Sequence, residues 1–386
     1  MTSHSILLTA GGTGGHLFPA QALADELVRR GHVVDLATDE RVGALGDDFP
    51  ARKVHLIASA TVKGRSPLGL ARTGWRLLRG TWQARGILKT TRPDVVVGFG
   101  GYPTFPPMFA AFLSKVPSVL HEANAVMGRA NRMLASRVDA IATSFPLTGD
   151  GASGHEGKLV QTGNPVREAV IAAAKVDYVR PEADGPFRLL VFGGSQGARF
   201  FSDAVPPALA LMEPEVRARL RVVQQCRPED LEQVRAAYDR LEVRCELAPF
   251  FSDMADRIAG AHLVVCRSGA SSVSELAAIG RPAVLVPLPH ALDNDQGRNA
   301  EVLAEAGGAW PVAQSELQPG RLTALLTELM GAPDRLATAA AAARSAGRPD
   351  AVLRLADLVE HIAGGGRVAD FSQGRSRNGE SNGDAS

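Results

Sequence analysis

Near its N-terminus the chain reads GGTGGH, Gly11 to His16. An apolar run ending at Ala10 precedes it, and apolar residues at helical spacing follow it at Leu17, Ala20, Leu23, Ala24 and Leu27. The pattern predicts a strand, a glycine turn and a helix. Such a turn aims backbone N–H groups at a phosphate or a sugar, and here the Thr13 hydroxyl and the His16 imidazole stand where the helix begins. It is not a dinucleotide fingerprint: G-x-G-x-x-G laid on Gly12, Thr13 and Gly14 needs glycine at position 17, which is Leu17. Further on, GGSQGA with Ser195 and SGASS with Ser271 and Ser272 are two more helix starts. Amide dipoles and hydroxyls of this kind stabilise the charge that grows on a diphosphate leaving group. Any one of these turns is also a common tight connection; their recurrence at strand ends in both halves points to a ligand.

The elements that must hold these turns are legible as alternating strands and helices. SILLTA, VVDLAT, DVVVGFG, PSVLHE and DAIATS read as buried strands of one parallel sheet with crossover helices. FRLLVFGGSQGA then restarts the pattern, and RVVQQ, VRCELA, HLVVCRSGA and PAVLVPLP supply further strands. The expected architecture is α/β, two doubly wound Rossmann-like domains joined near TGNPVREAV, where Gly163 and Pro165 break the periodicity. Domain bounds fall at 1–164 and 165–348, with a last amphipathic helix at 349–363 and a Gly/Ser/Asn-rich tail at 364–386 expected to be disordered. Ligands of open parallel sheets bind at the strands' carboxyl ends, so two such edges facing across a cleft suit a large two-part substrate.

Composition narrows the classes. A chain of 386 residues is long for a single core. Lys and Arg number 42 against 41 acidic residues, so no global field draws it to nucleic acid. Cys226, Cys245 and Cys266 are odd in number and far apart, which makes neither a disulfide framework nor a metal quartet. The N-terminus shows no charged leader with a long apolar core, and no run approaches the ~18 apolar residues that span a bilayer.

In their order and spacing, GGTGGH, GGY, HEAN, TGNPVR, GGSQGA and CRSGASSVSE resemble the MurG family of bacterial N-acetylglucosaminyltransferases, over about residues 5 to 363. The resemblance implies a GT-B fold and a donor, UDP-N-acetylglucosamine. Its implied acceptor is lipid I, the undecaprenyl-pyrophosphoryl-MurNAc-pentapeptide, which receives the sugar on its muramyl 4-hydroxyl with inversion to give lipid II. It implies no cofactor, and a peripheral place on the cytoplasmic face of the inner membrane. By the same resemblance the donor is bound through Thr13, Gly14, Gly15, Asn124, Arg167, Ser195, Ala270, Ser271, Ser272, Val273, Ser274 and Glu275, the last on the ribose hydroxyls. The chain at Phe251 would lie beside the uracil, and Gln296 would hold the sugar hydroxyls. Tyr102, His121, Glu122 and Asn131 fall on the acceptor side.

The acceptor hydroxyl must lose its proton as it attacks, so a base is required at the first domain's strand ends. His16 is the best placed and the resemblance also points to it; His121 and Glu122 are the other candidates. Asp293-Asn294-Asp295 matches a D-x-D metal motif, but three residues recur by chance in a chain this long, and the helix starts already serve the leaving group. No metal is expected. Two departures from the family pattern bear on the site: Ala123 stands where relatives carry glutamine, and Pro103 follows Tyr102 where a small or branched residue is usual, stiffening that loop.

An anchored acceptor requires the protein to reach a membrane surface. Within residues 63–89, Ala71, Trp75, Leu78 and Trp82 form one helical stripe beside Arg72, Arg76 and Arg79, the pattern of an interfacial helix on anionic lipid. An ordinary surface helix, its stripe in the core and its arginines snorkelling, has the same pattern, and Gly74 and Gly80 weaken a helix here. Two other functions use the same fold logic: a UDP-N-acetylglucosamine 2-epimerase-like isomerase, and a non-catalytic UDP-sugar-binding protein.

Overall fold

The structure, a computed structural model, describes residues 2–11, 14–46, 48–58, 67–289 and 292–371. The chain divides into two compact units, Met1–Arg167 with Asp350–Ser386, and Glu168–Pro349.

The first unit holds seven parallel strands: β1 (Ser5–Thr9), β2 (Val33–Thr38), β3 (Lys53–Leu56), β4 (Val95–Gly98), β5 (Ser118–Glu122), β6 (Ala140–Thr143) and β7 (Leu159–Gln161). Their order across the sheet is β3-β2-β1-β4-β5-β6-β7. The second unit holds six, β8 (Phe187–Phe192), β9 (Leu220–Gln225), β10 (Arg244–Ala248), β11 (Leu263–Cys266), β12 (Ala283–Leu285) and β13 (Ala309–Pro311), in the order β10-β9-β8-β11-β12-β13. Successive strands in each sheet add outward to one side and then jump to the other. The switch falls between β1 and β4 in one unit and between β8 and β11 in the other, and there the crossover helices leave on opposite faces. Those four strand ends carry GGTGGH, GFGGYP, GGSQGA and RSGASS.

The strands expected from the sequence are present, and three more join them: β3 (KVHL), β7 (LVQ) and β13 (AWP). All three lie at sheet edges, half-covered and short, where no long apolar run is needed. The amphipathic helix Ala351–Ala363 returns to the first unit, where Leu355, Ala356, Leu358, Val359 and Ile362 enter a core built from β1, β2, β4 and the helix Gly14–Arg29. Arg30 locks it in place: its guanidinium reaches Glu26 at 2.6 Å, Asp357 at 2.8 Å and Glu360 at 2.9 Å. The tail expected to be disordered from residue 364 is instead folded as far as Phe371. Val368 is buried in that same core, the His361 ring lies tilted against Phe371 with centroids 5.4 Å apart, and the Arg367 carbonyl lies 2.9 Å from His361 Nε2. Two apolar side chains among the polar ones suffice to dock it; residues 372–386 lie outside the described residues.

The helix Pro67–Thr91 is continuous through Gly74 and Gly80. Gly80 is a packing position rather than a weak point, since a Cβ there would lie 2.3 Å from the Ala58 carbonyl oxygen. The helix buries Gly80, Thr81, Ala84 and Leu88 and turns Trp75, Leu78 and Trp82 to solvent, 69%, 59% and 80% exposed. The sequence stripe is therefore not a core stripe. The side chains of Ala71 and Arg72, and residues 63–66, lie outside the described residues.

Leu355→Ala tests the returning helix. It removes a fully buried side chain from the first unit's core and is expected to cost about 2–5 kcal/mol in denaturant unfolding. Leu353→Ala, on the exposed face of the same helix, is the control and should change little.

Candidate functional site

In the first unit the two switch-point turns meet around His16. Gly100 and Gly101 after β4 adopt φ of 86° and 78°, a conformation that favours glycine. A Cβ added to Gly11, Gly100 or Gly101 would stand 3.5, 3.4 or 3.6 Å from the His16 ring, so backbone from both turns walls the imidazole. His16 is half-buried, and burial, then the charge of Arg41, lowers its pKa from 6.5. The imidazole is therefore held neutral at neutral pH. Gly15 faces open space, whereas Gly14 packs against Phe18. Arg167 stacks over that Phe18 ring at 5.0 Å. Thr13 lies outside the described residues.

The other residues assigned to the acceptor side serve the loop around them. His121 is 1% exposed, with Nε2 3.4 Å from both the Gly163 carbonyl and the Ser144 hydroxyl. Burial drives its pKa down to about 4, against the Gly163 carbonyl and helped by His16. Glu122 is 3% exposed and accepts N–H groups from Asn124 at 3.0 Å, Gly128 at 2.9 Å and the Asn131 amide at 2.7 Å. Burial raises its pKa and those donors oppose the rise. Both base alternatives are thus enclosed and committed. Asn131, expected toward the acceptor, is itself buried, donating to Glu122 and to the His121 carbonyl. It shapes the turn that presents the half-buried Asn124. Ala123 and Pro103 are buried wall positions, and Tyr102 begins a short 3-10 turn at the site's edge, half-buried.

In the second unit, the helices Gly194–Ala210 and Ala270–Ile279 start from Gly193 and Gly269 with no side chain capping them, which leaves first-turn N–H groups for an anion. The side chain of Ser195 lies outside the described residues. Ser271, Ser272, Ser274 and Glu275 are half-buried along the first turns of the second helix, while Ala270 and Val273 face inward. Phe251 is 6% exposed beneath the Arg257 guanidinium at 4.1 Å, so this position offers a ligand its backbone. Gln296 accepts the Leu288 N–H at 3.0 Å through its side-chain oxygen, which leaves the amide N–H groups to present. In the D-x-D stretch Asp293 and Asn294 have φ of 60° and 54°, and Asn294 packs on Gly297. Burial, then Asp293, raises the Asp295 pKa. Among the described residues no three His, Cys, Asp or Glu side chains converge as a metal site would require.

Two fastenings escaped the sequence reading because they join residues far apart in the chain, and so did one buried amide. Gln225 takes the Gly193 N–H at 3.3 Å and donates to the Pro249 carbonyl at 3.2 Å, linking the turn after β8 to the Phe251 loop. Arg267 donates to the Val286 and Pro287 carbonyls and stacks on Phe200 and Phe201, tying the ends of β11 and β12 to the helix after β8. Asn164 is buried at the end of the first unit with neither amide atom hydrogen-bonded.

Residues 6–143 match the glycosyltransferase family 28 N-terminal domain and residues 188–355 its C-terminal domain. The chain is 56% identical over 371 residues to a Sinorhizobium fredii protein named UDP-N-acetylglucosamine–N-acetylmuramyl-(pentapeptide) pyrophosphoryl-undecaprenol N-acetylglucosamine transferase, covering 96% of this chain and 99% of that one. A protein of the same name from Chelativorans is 55% identical over 97% of this chain and its own full length. Among solved structures, Acinetobacter baumannii MurG matches with a TM-score of 0.76 at 31% identity, over 93% of this chain and 99% of that one. A UDP-GlcNAc 2-epimerase from Neisseria meningitidis matches at 0.63 with 14% identity over 92% and 98%, a likeness of fold alone.

The burial of His121 has a measurable consequence. A histidine whose folded pKa sits near 4 against 6.5 unfolded stabilises the protein fully above pH 6.5 and loses that contribution as pH falls toward 4. Unfolding free energy should decline through this window by up to about 1.4 kcal/mol per pH unit from this group. His121→Gln should remove that part of the slope in denaturant titrations; an unchanged slope would refute the assignment.

Proposed function

The chain belongs to glycosyltransferase family 28, and from that membership we propose its reaction and the part each residue plays. It is a UDP-N-acetylglucosamine-dependent glycosyltransferase of the GT-B fold that moves N-acetylglucosamine onto the muramyl 4-hydroxyl of lipid I, giving lipid II for peptidoglycan synthesis. The observation that carries the mechanism is His16, a half-buried imidazole of lowered pKa walled by the glycines of both switch-point turns.

His16 accepts the proton of the 4-hydroxyl as that oxygen bonds to the sugar's C1. The bond from C1 to the diphosphate oxygen breaks on the opposite face, so the configuration inverts, and UDP leaves with the bonding electron pair. The N–H groups at the starts of Gly194–Ala210 and Ala270–Ile279, with the Ser271 and Ser272 hydroxyls, take up the charge developing on the diphosphate. Glu275 accepts hydrogen bonds from the ribose hydroxyls, the backbone at Phe251 meets the uracil, and Arg167 and Ser195 hold the rest of UDP. The Gln296 amide and Asn124 hold the transferred sugar, and Tyr102 lies on the acceptor side. His121, Glu122 and Asn131 hold the turn from behind. The isomerase alternative loses its ground, since the epimerase likeness is confined to fold while identity above one half runs to the named transferases.

No described helix is long and apolar enough to cross a membrane. The enzyme instead meets the cytoplasmic face peripherally, through Trp75, Leu78 and Trp82, flanked by the exposed Arg76, Arg79, Arg85 and Lys89. The adjoining helix Phe105–Ser114 also exposes two apolar side chains, Phe112 and Leu113, at 45% and 44%. Indole beside guanidinium suits the interface of an anionic bilayer.

Two experiments test this reading. The protein should transfer labelled N-acetylglucosamine from its UDP donor to a lipid I analogue, and His16→Ala should lower kcat by about 10² to 10⁴ with the donor KM nearly unchanged and the acidic limb of the rate profile lost. A variant that keeps that limb would remove His16 as the base. Replacing Trp75 and Trp82 together by alanine should weaken binding to phosphatidylglycerol vesicles by at least roughly tenfold while sparing turnover of a water-soluble acceptor; undiminished vesicle binding would exclude this helix as the membrane contact.

A further inference from the structure

Beside His16 stands a cation that the mechanism above leaves unused. β2 lies next to β1, and their ends are fastened together: Ala10 donates its N–H to the Ala37 carbonyl at 3.4 Å, and the buried Thr38 hydroxyl donates to the Ala10 carbonyl at 2.9 Å. The chain leaving β2 therefore emerges alongside the first glycine turn, and there it carries Asp39 and Arg41. Asp39 is buried and Arg41 is half-exposed. The Asp39 carboxylate accepts from Arg41 Nε at 2.7 Å, from a terminal guanidinium nitrogen at 2.7 Å and from the Arg41 backbone N–H at 3.3 Å. One edge of the fork is thereby fixed on Asp39, and a guanidinium carries five N–H donors in all.

This placement is hard to explain by stability. A partly exposed pair two residues apart contributes little to folding. It also works against the base, because the guanidinium charge makes His16 less willing to take a proton. A residue set where it weakens the base needs another use. The acceptor supplies one: the muramyl ring that bears the attacking 4-hydroxyl bears a diphosphate across the ring, so seating that hydroxyl at His16 brings two phosphates into the same neighbourhood. A guanidinium fork matches phosphate oxygens bidentately.

We infer that Arg41, held by Asp39, binds the diphosphate of the lipid acceptor. The inference rests on the lipid I reading and adds to it a cation on the acceptor side of the reaction.

The test is steady-state kinetics with two water-soluble acceptors, a short-chain lipid I analogue and its counterpart with a neutral glycoside in place of the diphosphate. Arg41→Ala should raise KM for the diphosphate acceptor about 10- to 100-fold, the loss of one or two hydrogen bonds to a charged group, while KM for the neutral acceptor and for UDP-N-acetylglucosamine stays within about twofold. Arg41→Lys, which keeps the charge without the fork, should recover part of the loss. Equal losses on both acceptors would mean damage to the turn, and a raised donor KM would place the guanidinium on UDP; either result overturns the inference, as does no change at all. Lost binding to phosphatidylglycerol vesicles with an unchanged acceptor KM would assign Arg41 to a lipid headgroup and overturn it too. Failure of the underlying reading is a separate result, because the unaltered enzyme would then transfer nothing to the diphosphate acceptor.

Discussion

In a sheet of parallel strands every carboxyl end lies on the same edge, and where the strand order reverses, two neighbouring crossovers leave on opposite faces and open a crevice. Each unit has one such point, between β1 and β4 and between β8 and β11. Nearly every residue with a chemical role follows one of those four strands or the next one out. The glycines belong there for the same reason: the turn must pass close to a bound group, and Gly100 and Gly101 must also adopt a left-handed backbone against the His16 ring.

The chemistry of the first unit is a division of labour set by burial. Glu122 and His121 are consecutive at the end of β5, and either is a plausible base from its side chain alone. Enclosure gives the carboxylate three N–H donors to satisfy and holds the imidazole neutral down to about pH 4, so both become parts of a scaffold. Asn131 completes it by bonding to Glu122, and a Cβ on Gly100 would approach the Asn131 amide to 3.5 Å and His16 to 3.4 Å. The scaffold thus abuts His16 through one glycine. Of the three candidates His16, His121 and Glu122, His16 alone keeps partial access to solvent.

What the sequence disclosed follows from how strongly each element is buried. Interior strands such as VVVG are covered on both faces and read as unbroken apolar runs, so they stood out. β3, β7 and β13 lie at edges, where one side of the ladder and much of each side chain meet solvent, and KVHL carries no run to recognise. Glycine was ambiguous for a related reason. Gly80 lowers helix propensity, but its role is to let the helix approach the Ala58 carbonyl, which is visible only once both segments are placed. The turns at the site were legible because they are local, written as consecutive glycines and hydroxyl-bearing residues. Gln225, Arg267 and Arg41 were not, since each acts on a turn belonging to a different strand.

Arg41 shows why such residues matter to the balance of the site. A base and a cation placed together oppose each other in the empty enzyme, where the charge lowers the imidazole's affinity for a proton. An anionic acceptor changes the sign of that arrangement. Two phosphates beside the guanidinium would offset its field, and the imidazole would recover basicity as the substrate hydroxyl arrives. The guanidinium that weakens the proton affinity of His16 in the empty site would then cease to do so in the complex, coupling proton transfer to the presence of the correct acceptor. A neutral sugar hydroxyl entering the same place would meet the base in its weakened form, which gives the enzyme a reason to keep the pair adjacent.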